Sequence, residues 1–308
     1  VCEYLSGGTT SCFDMYFSAP EQTAKAFIDT GFRGVFCGAV NNFCGSPKLT
    51  EEHYVKLNSL SPLISYKLGF HAEYTTSLEI MEQIAALAQK YHAPVWCHNS
   101  ETKSETEGCI SRYGKTPTEL MESIGMFEYG GGGYHCVYFT ENDMDIFRRH
   151  NMTAVTNPAS NSKLASGIAD ISSLMSHRIN VAIGTDGAAS NNALDMFREM
   201  YLCTVLQKLR YSDAAAMPAE NVLRAATLGG AKAMELDCGS IEEGKLADFA
   251  VVDMRRPSMQ PENDIVKNLV FSGSKDIIRM TAVGGKILYE NGEFAGIDTE
   301  KLYHDCAR

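Results

Sequence analysis

Basic residues are scarce in this 308-residue chain, and long apolar runs are missing. Lys and Arg together number 27 against 38 for Asp and Glu, which gives a formal net charge of −11. Because no excess of cations is available to form a basic face, we do not expect a nucleic acid as a partner. Polar residues interrupt every apolar stretch before it reaches the roughly 18 residues of a membrane span, so a membrane partner is not expected either.

Paired-cysteine spacings and a leader-like segment are also missing. The ten cysteines include no C-x-x-C and lie mostly within apolar runs, which is typical of reduced core thiols. Residues 1–5 show no basic segment followed by an apolar one, so they are not read as a signal peptide. We therefore expect a cytoplasmic protein. Signatures of P-loop, dinucleotide-binding, nucleophile-elbow and H-E-x-x-H enzymes are absent, which disfavours those classes.

What the chain does contain is a regular alternation of short apolar runs with amphipathic stretches. In residues 78–91, for example, apolar side chains recur at helical spacing. The strand candidates are residues 11–16, 33–37, 64–70, 94–97, 134–137, 153–156 and 181–184. Strands that alternate with helices predict parallel β/α units, and this count fits an eight-stranded β/α barrel lacking its first strand. Counting alone leaves an open doubly wound sheet as the alternative.

The pattern changes near residue 239. Beyond it the chain is rich in β-forming residues, and Asn291-Gly292 is a signal for a tight hairpin. We expect a metal-dependent hydrolase barrel over residues 1–238 and, over 239–308, half of a small β-sandwich with a tail. Gly130 to Gly133 precede a strand candidate and are expected to form a flexible loop.

His98, His135 and Asp186 each stand at the carboxyl end of a strand candidate. In a β/α barrel the carboxyl ends of the strands meet at one rim, and active sites lie there. His and Asp are ligands for borderline divalent metals. Glu101 lies three residues beyond His98, close enough to move protons in the same pocket. Structural alternatives are a hydrogen-bonded core histidine and, for Asp186, a turn-opening aspartate.

Two weaker candidates lie nearby. His71 ends a further strand candidate and, taken alone, is more often structural than functional. The charged residues after Glu101 (Lys103, Glu105 and Glu107) look like a solvated loop, in which case Glu101 would be a surface residue whose removal costs little.

Residues 184–192 (GTDGAASNN) and 98–102 (HNSET) carry the strongest sequence signal. They resemble the eighth-strand motif and the fifth-strand H-x-x-E-T motif of the amidohydrolase superfamily. Within it they resemble the branch of methylthioadenosine and S-adenosylhomocysteine deaminases and chlorotriazine hydrolases. Other segments are similar to the family's second strand, sixth strand, loop after the seventh strand and returning half of its β-sandwich, namely residues 8–16, 134–137, 157–164 and 239–253.

This resemblance implies a hydrolase acting on carbon–nitrogen bonds other than peptide bonds, most simply a deaminase of an amino-substituted heterocycle of the aminopurine nucleoside type. His98 and Asp186 would ligate one divalent metal, for which zinc is the family expectation while iron and manganese stay open. Asp186 would also deprotonate the attacking water, and Glu101 would pass that proton to a ring nitrogen of the substrate. His135 would hold the water or the tetrahedral intermediate, and His71 would contact the substrate.

Three features depart from the family pattern. The family's first strand carries an H-x-H pair of metal ligands, and none occurs here; we expect the pair to lie upstream of Val1. Gly38 stands where the nucleoside deaminases carry an arginine, and Glu73 where the family usually has proline. Two alternatives stay open: hydrolysis of another leaving group from a small molecule, such as a chlorotriazine or cyclic amide, or an inactive remnant. Homo-oligomerisation is left open as well.

Overall fold

The seven strand patterns form one parallel sheet. The computed structural model describes residues 1–16 and 19–307. Within them the strands are β1 (Ser11–Met15), β2 (Arg33–Cys37), β3 (Ile64–Ala72), β4 (Val95–Asn99), β5 (Gly131–His135), β6 (Thr153–Thr156) and β7 (Asn180–Ile183). Each strand pairs in parallel with the next one along the chain. This order confirms the predicted β/α succession, since a doubly wound sheet would reverse its strand order.

Helices alternate with the strands of this sheet along the chain, and further helices lie before β1 and after β7. Those before residue 180 are α1 (Cys2–Ser6), α2 (Pro20–Thr30), α3 (Pro47–Leu57), α4 (Leu78–Tyr91), α5 (Lys103–Tyr113), α6 (Pro117–Ser123), α7 (Glu141–Arg149), α8 (Pro158–Lys163) and α9 (Ile171–Ser176). After it come α10 (Ala188–Asn191), α11 (Met196–Tyr211), α12 (Ala219–Arg224), α13 (Gly230–Met234), α14 (Ile265–Ser272) and α15 (Thr299–Cys306). In the part of the chain described, no helix has the length and apolarity needed to cross a membrane.

The parallel sheet is curled rather than flat. The ring of Phe13 on β1 lies 4.7 Å from Trp96 on β4 and 5.7 Å from Tyr134 on β5, centroid to centroid, although several strands separate them in the sheet. These rings form an interior cluster with Val155 and Ala182 from β6 and β7. The described strands therefore make the predicted barrel architecture, with seven strands and no partner joining β7 to β1.

The chain after α13 forms a small antiparallel sheet. Its strands are β8 (Phe249–Val252), β9 (Ile278–Val283), β10 (Lys286–Glu290) and β11 (Glu293–Phe294), in the order β11-β10-β9-β8. Asn291 and Gly292, which join β10 to β11, both have positive φ, 49° and 97°, as the predicted tight hairpin requires. A small β unit is thus present, while the division at residue 238 stays a prediction.

The glycine run before the fifth strand was wrongly predicted to be a loop. Gly131, Gly132 and Gly133 belong to β5 and pair with β4. A Cβ placed on Gly131 would lie 1.9 Å from the carbonyl oxygen of Val95, and one on Gly132 would lie 2.2 Å from the ring of Trp96. The glycines are therefore needed because the neighbouring strand and its tryptophan approach so closely.

A buried ion pair fastens the small sheet to the barrel. Arg33, the first residue of β2, binds Asp248 through two nitrogens, Nε at 2.6 Å and Nη2 at 3.1 Å. The Arg33 side chain is 6% exposed and that of Asp248 is 0% exposed. Asp248 Oδ1 also accepts the N–H of Gly284, 2.6 Å away in the turn between β9 and β10. The Asp248 carboxylate therefore binds both the parallel sheet, through Arg33, and the small antiparallel sheet, through Gly284.

We predict that Asp248→Asn lowers the free energy of unfolding by about 3–5 kcal/mol, because it leaves the buried Arg33 guanidinium without a counter-charge. Urea unfolding followed by circular dichroism measures the change. The control is Asp29→Asn, which breaks the exposed Lys25–Asp29 pair and should cost no more than about 0.5 kcal/mol. Equal effects of the two substitutions would contradict the prediction.

Candidate active site

His98 faces the barrel interior because of its place in the alternation of β4. Val95 and Cys97 pack into the main core against the helices, while Trp96 belongs to the interior cluster. His98 shares the parity of Trp96 and lies one step nearer the carboxyl end of the strand. The structure extends β4 through Asn99, so His98 is part of the strand rather than the residue after it.

The hydrogen bonding of His98 fixes its tautomer. Its Nδ1 lies 2.9 Å from the backbone oxygen of His71, and since a carbonyl only accepts, Nδ1 carries the proton and Nε2 carries the lone pair. Burial, with the nearby His135 and His71 rings, lowers the pKa of His98 to about 3. The ring is therefore neutral at pH 7, as metal coordination by Nε2 requires.

A short turn orients His71 at the end of β3. The His71 Nδ1 lies 2.7 Å from Thr75 Oγ1, and that hydroxyl donates to the backbone oxygen of Ala72, so Nδ1–H is the donor to Thr75. Burial lowers the pKa of His71. The turn is anchored by the buried Glu73, whose two oxygens accept Nη2 of Arg112 on α5 at 2.8 and 2.6 Å. The residue that replaces the family's proline thus fastens this turn to α5.

His135 ends β5 with its ring buried beside Glu101. Its Nδ1 donates to Asn161 Oδ1 at 2.7 Å, and its Nε2 lies 3.7 Å from Glu101 Oε2. The other Glu101 oxygen accepts the hydroxyl of Ser166 at 2.9 Å. His135 has a left-handed backbone with φ 71°, a conformation that costs a residue other than glycine roughly 1–3 kcal/mol and that clusters at functional sites.

The segment after Glu101 is not a solvated loop. Residues 103–113 form α5, and Glu105 in its first turn is buried. The Glu105 carboxylate accepts the backbone N–H groups of Ser100 at 3.1 Å and Glu101 at 2.7 Å, and Thr102 completes a capping box with it. Burial raises the pKa of Glu105 to about 7. These hydrogen bonds fix the backbone of Glu101 just after β4. The Glu101 side chain is only 15% exposed.

Asp186 follows β7 and is held by the loop after β6. Its Oδ2 accepts the hydroxyl of the fully buried Ser160 on α8, and its Oδ1 accepts the N–H of Gly187 at 2.6 Å. Asp186 also has a left-handed backbone, with φ 60°, which is strained for a residue other than glycine and which aspartate also adopts at turns. Its charge acts on His98, which places the two groups in one electrostatic neighbourhood.

The structure thus brings all five predicted site residues to one edge of the sheet. The rings of His71, His98 and His135 form a row with centroid separations of 4.8 and 5.3 Å. Glu101 contacts His135 at one end of the row, and Asp186 lies near His98. In residues 1–16 and 19–307 no group of three His, Cys, Asp or Glu side chains is arranged to hold a metal ion. His98 and Asp186 are therefore at most part of a metal's shell.

Sequence reasoning missed the residues that support these five. Ser160, Asn161 and Ser166 fix the candidate side chains from α8 and the residues after it; the segment 157–164 resembles the family, but the residue types do not indicate these hydrogen bonds. Glu199 on α11 was also missed, although it had a signal. It lies at spacings of four and eight residues from Cys203 and Gln207, on a helix face that is buried, and a carboxylate on such a face requires partners.

Comparison with known proteins identifies the family of the chain. The model of the amidohydrolase family matches residues 1–288. The chain belongs to this family. It is 38% identical over 307 residues to a 5-methylthioadenosine/S-adenosylhomocysteine deaminase of Pyrococcus furiosus, and the match covers 97% of the chain and 73% of that protein.

Two solved structures share the fold. An adenosine deaminase from Xanthomonas campestris with bound zinc superposes with a TM-score of 0.93 at 32% identity, covering 99% of the chain and 72% of that one. A zinc complex of an atrazine chlorohydrolase from Arthrobacter aurescens gives a TM-score of 0.87 at 22% identity, covering 98% and 73%. The second likeness concerns the fold alone.

We predict that Ser160→Ala weakens the binding of a divalent metal by about 10–100-fold, because Asp186 loses the hydroxyl that orients its Oδ2. Equilibrium titration with zinc against a competing chelator measures the change. The control is Ser162→Ala on the same helix, whose hydroxyl donates to the backbone oxygen of Pro158 and which should leave affinity unaltered. An unchanged affinity in Ser160→Ala would contradict the assignment of Asp186 as a ligand.

Proposed function

We propose that this amidohydrolase is a hydrolytic deaminase of adenine nucleosides and that it uses a water molecule activated by a divalent metal. The observation that carries the proposal is the arrangement at the rim. His98 is a neutral histidine, and Asp186 is a carboxylate oriented by a hydrogen bond. A second carboxylate, that of Glu101, contacts His135 at the same rim. The family assignment and the deaminase relatives supply the reaction class.

The donor chemistry of the site fits zinc. His98 offers Nε2 while a backbone carbonyl fixes Nδ1–H, which is the usual support for a metal-binding imidazole. Asp186 offers a carboxylate whose orientation is set by Ser160 and Gly187. Two ligands do not complete the shell of a zinc ion, so further donors are required. When bound, such an ion lowers the pKa of a water molecule to about 7 and so supplies a nucleophile at neutral pH.

The reaction exchanges one bond for another at the amino-bearing ring carbon. The oxygen of water forms a bond to that carbon, the carbon–nitrogen bond to the amino group breaks, and ammonia leaves. Asp186 takes a proton from the water, and Glu101 delivers a proton to the adjacent ring nitrogen. The remaining proton of the water passes by way of Asp186 to the amino group, so that the carbon becomes a carbonyl and the amine leaves as ammonia. Ser166 and the backbone cradle of Glu105 hold Glu101 in place for this transfer.

The two histidines at the ends of the row serve the substrate. His135, beside Glu101 and pinned by Asn161, holds the attacking water or the tetrahedral carbon's oxygen. His71, oriented by Thr75 and the Glu73–Arg112 pair, contacts the substrate. Gly38 lies against the backbone oxygen of Gly69, which a Cβ would approach to 2.8 Å. An arginine at this position would therefore displace the backbone, so Gly38 is required by the close approach of β3.

The ten cysteines are all free, which supports the expectation of a reducing, cytoplasmic setting.

The direct test is to follow ammonia and chloride release by the purified enzyme from adenosine, methylthioadenosine, S-adenosylhomocysteine and a chlorotriazine. Ammonia is expected from the nucleosides alone, because Glu101 and Asp186 together protonate a ring and an amine. Removing metal with a chelator should abolish the activity, and zinc should restore it. Chloride release without ammonia would replace the proposal by the chlorohydrolase alternative, and inactivity with metal bound would favour the inactive remnant.

Glu101→Gln should lower kcat by about 10²-fold or more while the bound metal is retained, because the amide cannot carry a proton to the ring nitrogen. Metal content and kcat are measured on the same preparation. The control is Glu107→Gln on α5, an exposed carboxylate paired only loosely with Lys103 at 3.5 Å, which should leave kcat unchanged. Unchanged turnover in Glu101→Gln would remove Glu101 from the mechanism.

A further inference from the structure

A buried carboxylate behind the site has no part in the reaction as described. Glu199, in the first turn of α11, is fully buried. One oxygen, Oε2, accepts the backbone N–H of Ala159 at 2.9 Å, and the other, Oε1, accepts Nδ2 of Asn191 at 2.7 Å. Ala159 belongs to the loop and helix after β6, and Asn191 to those after β7, so a single side chain joins two segments of the rim.

Each partner of Glu199 leads directly to Asp186. Ala159 precedes Ser160, whose hydroxyl donates to Asp186 Oδ2. Asn191 Nδ2 donates as well to the backbone oxygen of Thr185 at 2.7 Å, the residue before Asp186. Glu199 therefore reaches Asp186 by two routes. The residue after Ala159 binds the Asp186 carboxylate, and Asn191 binds the backbone of the residue before Asp186.

The hydrogen bonds of Glu199 and of its partners are buried, so losing one of them is costly. Ser160 and Asn191 are buried as completely as Glu199, so no solvent is available to replace a lost partner. The N–H of Ala159 lies in the first turn of α8, where helix geometry supplies no acceptor, and Glu199 is the acceptor observed. Burial also raises the pKa of Glu199 to about 7, because the carboxylate has lost solvent, and its two observed partners are both donors.

We propose that Glu199 is a positioning residue that sets the placement of Asp186 by hydrogen bonding to both segments, the one after β6 and the one after β7. The two hydrogen bonds, to Ala159 and to Asn191, are called the Glu199 bracket. The proposal rests on the proposed function, in which Asp186 is a ligand and a base. It assigns to Glu199 no contact with the substrate or the metal. Its effect passes through Ala159 and Ser160 on one side and through Asn191 and Thr185 on the other.

Glu199→Gln tests the bracket with almost no change of volume. One end of the amide is a donor and must face either Ala159 N–H or Asn191 NH2, which are donors themselves, so one bond is lost. We expect kcat to fall by about 10²-fold, the scale of a small misplacement of a reacting group, with KM for the nucleoside nearly unchanged. Asn191→Leu cuts the other arm and should give a similar loss, and the double variant should be no slower than the slower single one.

The matched control is Asp143→Asn. Asp143 is also fully buried, and it accepts hydrogen bonds from Thr116 and Thr140, which cap the outer helices α6 and α7. Asp143→Asn should lower the melting temperature, as Glu199→Gln does, but should leave kcat unchanged. A fall in kcat that is equal in both variants, or an unaltered kcat in Glu199→Gln, would overturn the proposal and leave Glu199 with a role in stability only.

Hydrogen exchange measured by mass spectrometry separates failure of this inference from failure of the proposed function, because it needs no turnover. In Glu199→Gln, exchange within residues 157–163 and 185–192 should speed up by about tenfold, as the loss of one buried hydrogen bond implies, while the helices around Asp143 stay protected. If exchange there is unchanged, the bracket does not exist, whatever the enzyme's substrate proves to be. If it speeds up but the wild-type enzyme releases no ammonia, the bracket stands and the reaction is the part that fails.

Discussion

All seven strands of the large sheet run parallel and in chain order, so the carboxyl ends of β3, β4, β5 and β7 must lie along one edge. Every candidate site residue stands at or just past one of those ends: His71, His98, Glu101, His135 and Asp186. Without this constraint the five side chains, spread over more than a hundred positions of sequence, would have no reason to meet. The chemistry of the site therefore depends first on topology and only then on the individual loops.

The loops at this rim are held by carboxylates that lie beneath the reacting groups. Glu105 receives backbone donors beside Glu101, and Glu199 receives donors from both loops around Asp186. Burial raises the pKa of each to about 7, so each has a desolvation cost that its hydrogen bonds offset only in part. Ser100, His135 and Asp186 have left-handed backbones, and such strained conformations persist only where the surroundings over-determine them. The two buried glutamates belong to those surroundings.

The strands and the rim residues could be predicted because their signals are local. A short apolar run marks β4, and His98 follows directly after it, which places this residue at the rim of a β/α barrel. The glycines of β5 were mistaken for a loop because only the neighbouring strand, through Val95 and Trp96, shows why they are needed. Glu199 meets Ala159 across 40 positions, a distance at which residue type says nothing about the partner. The partners of the supporting residues are therefore visible only once the fold is known.

In the proposed reaction, water supplies the oxygen that replaces an amino group on the substrate ring. This origin can be read from the mass of the product after turnover of adenosine in water enriched in heavy oxygen. We expect a ring product that carries one heavy oxygen atom for every ammonia released, and that appears only when the divalent metal is present. Ammonia released without incorporation of heavy oxygen, or incorporation that is unaffected by removal of the metal, would contradict it.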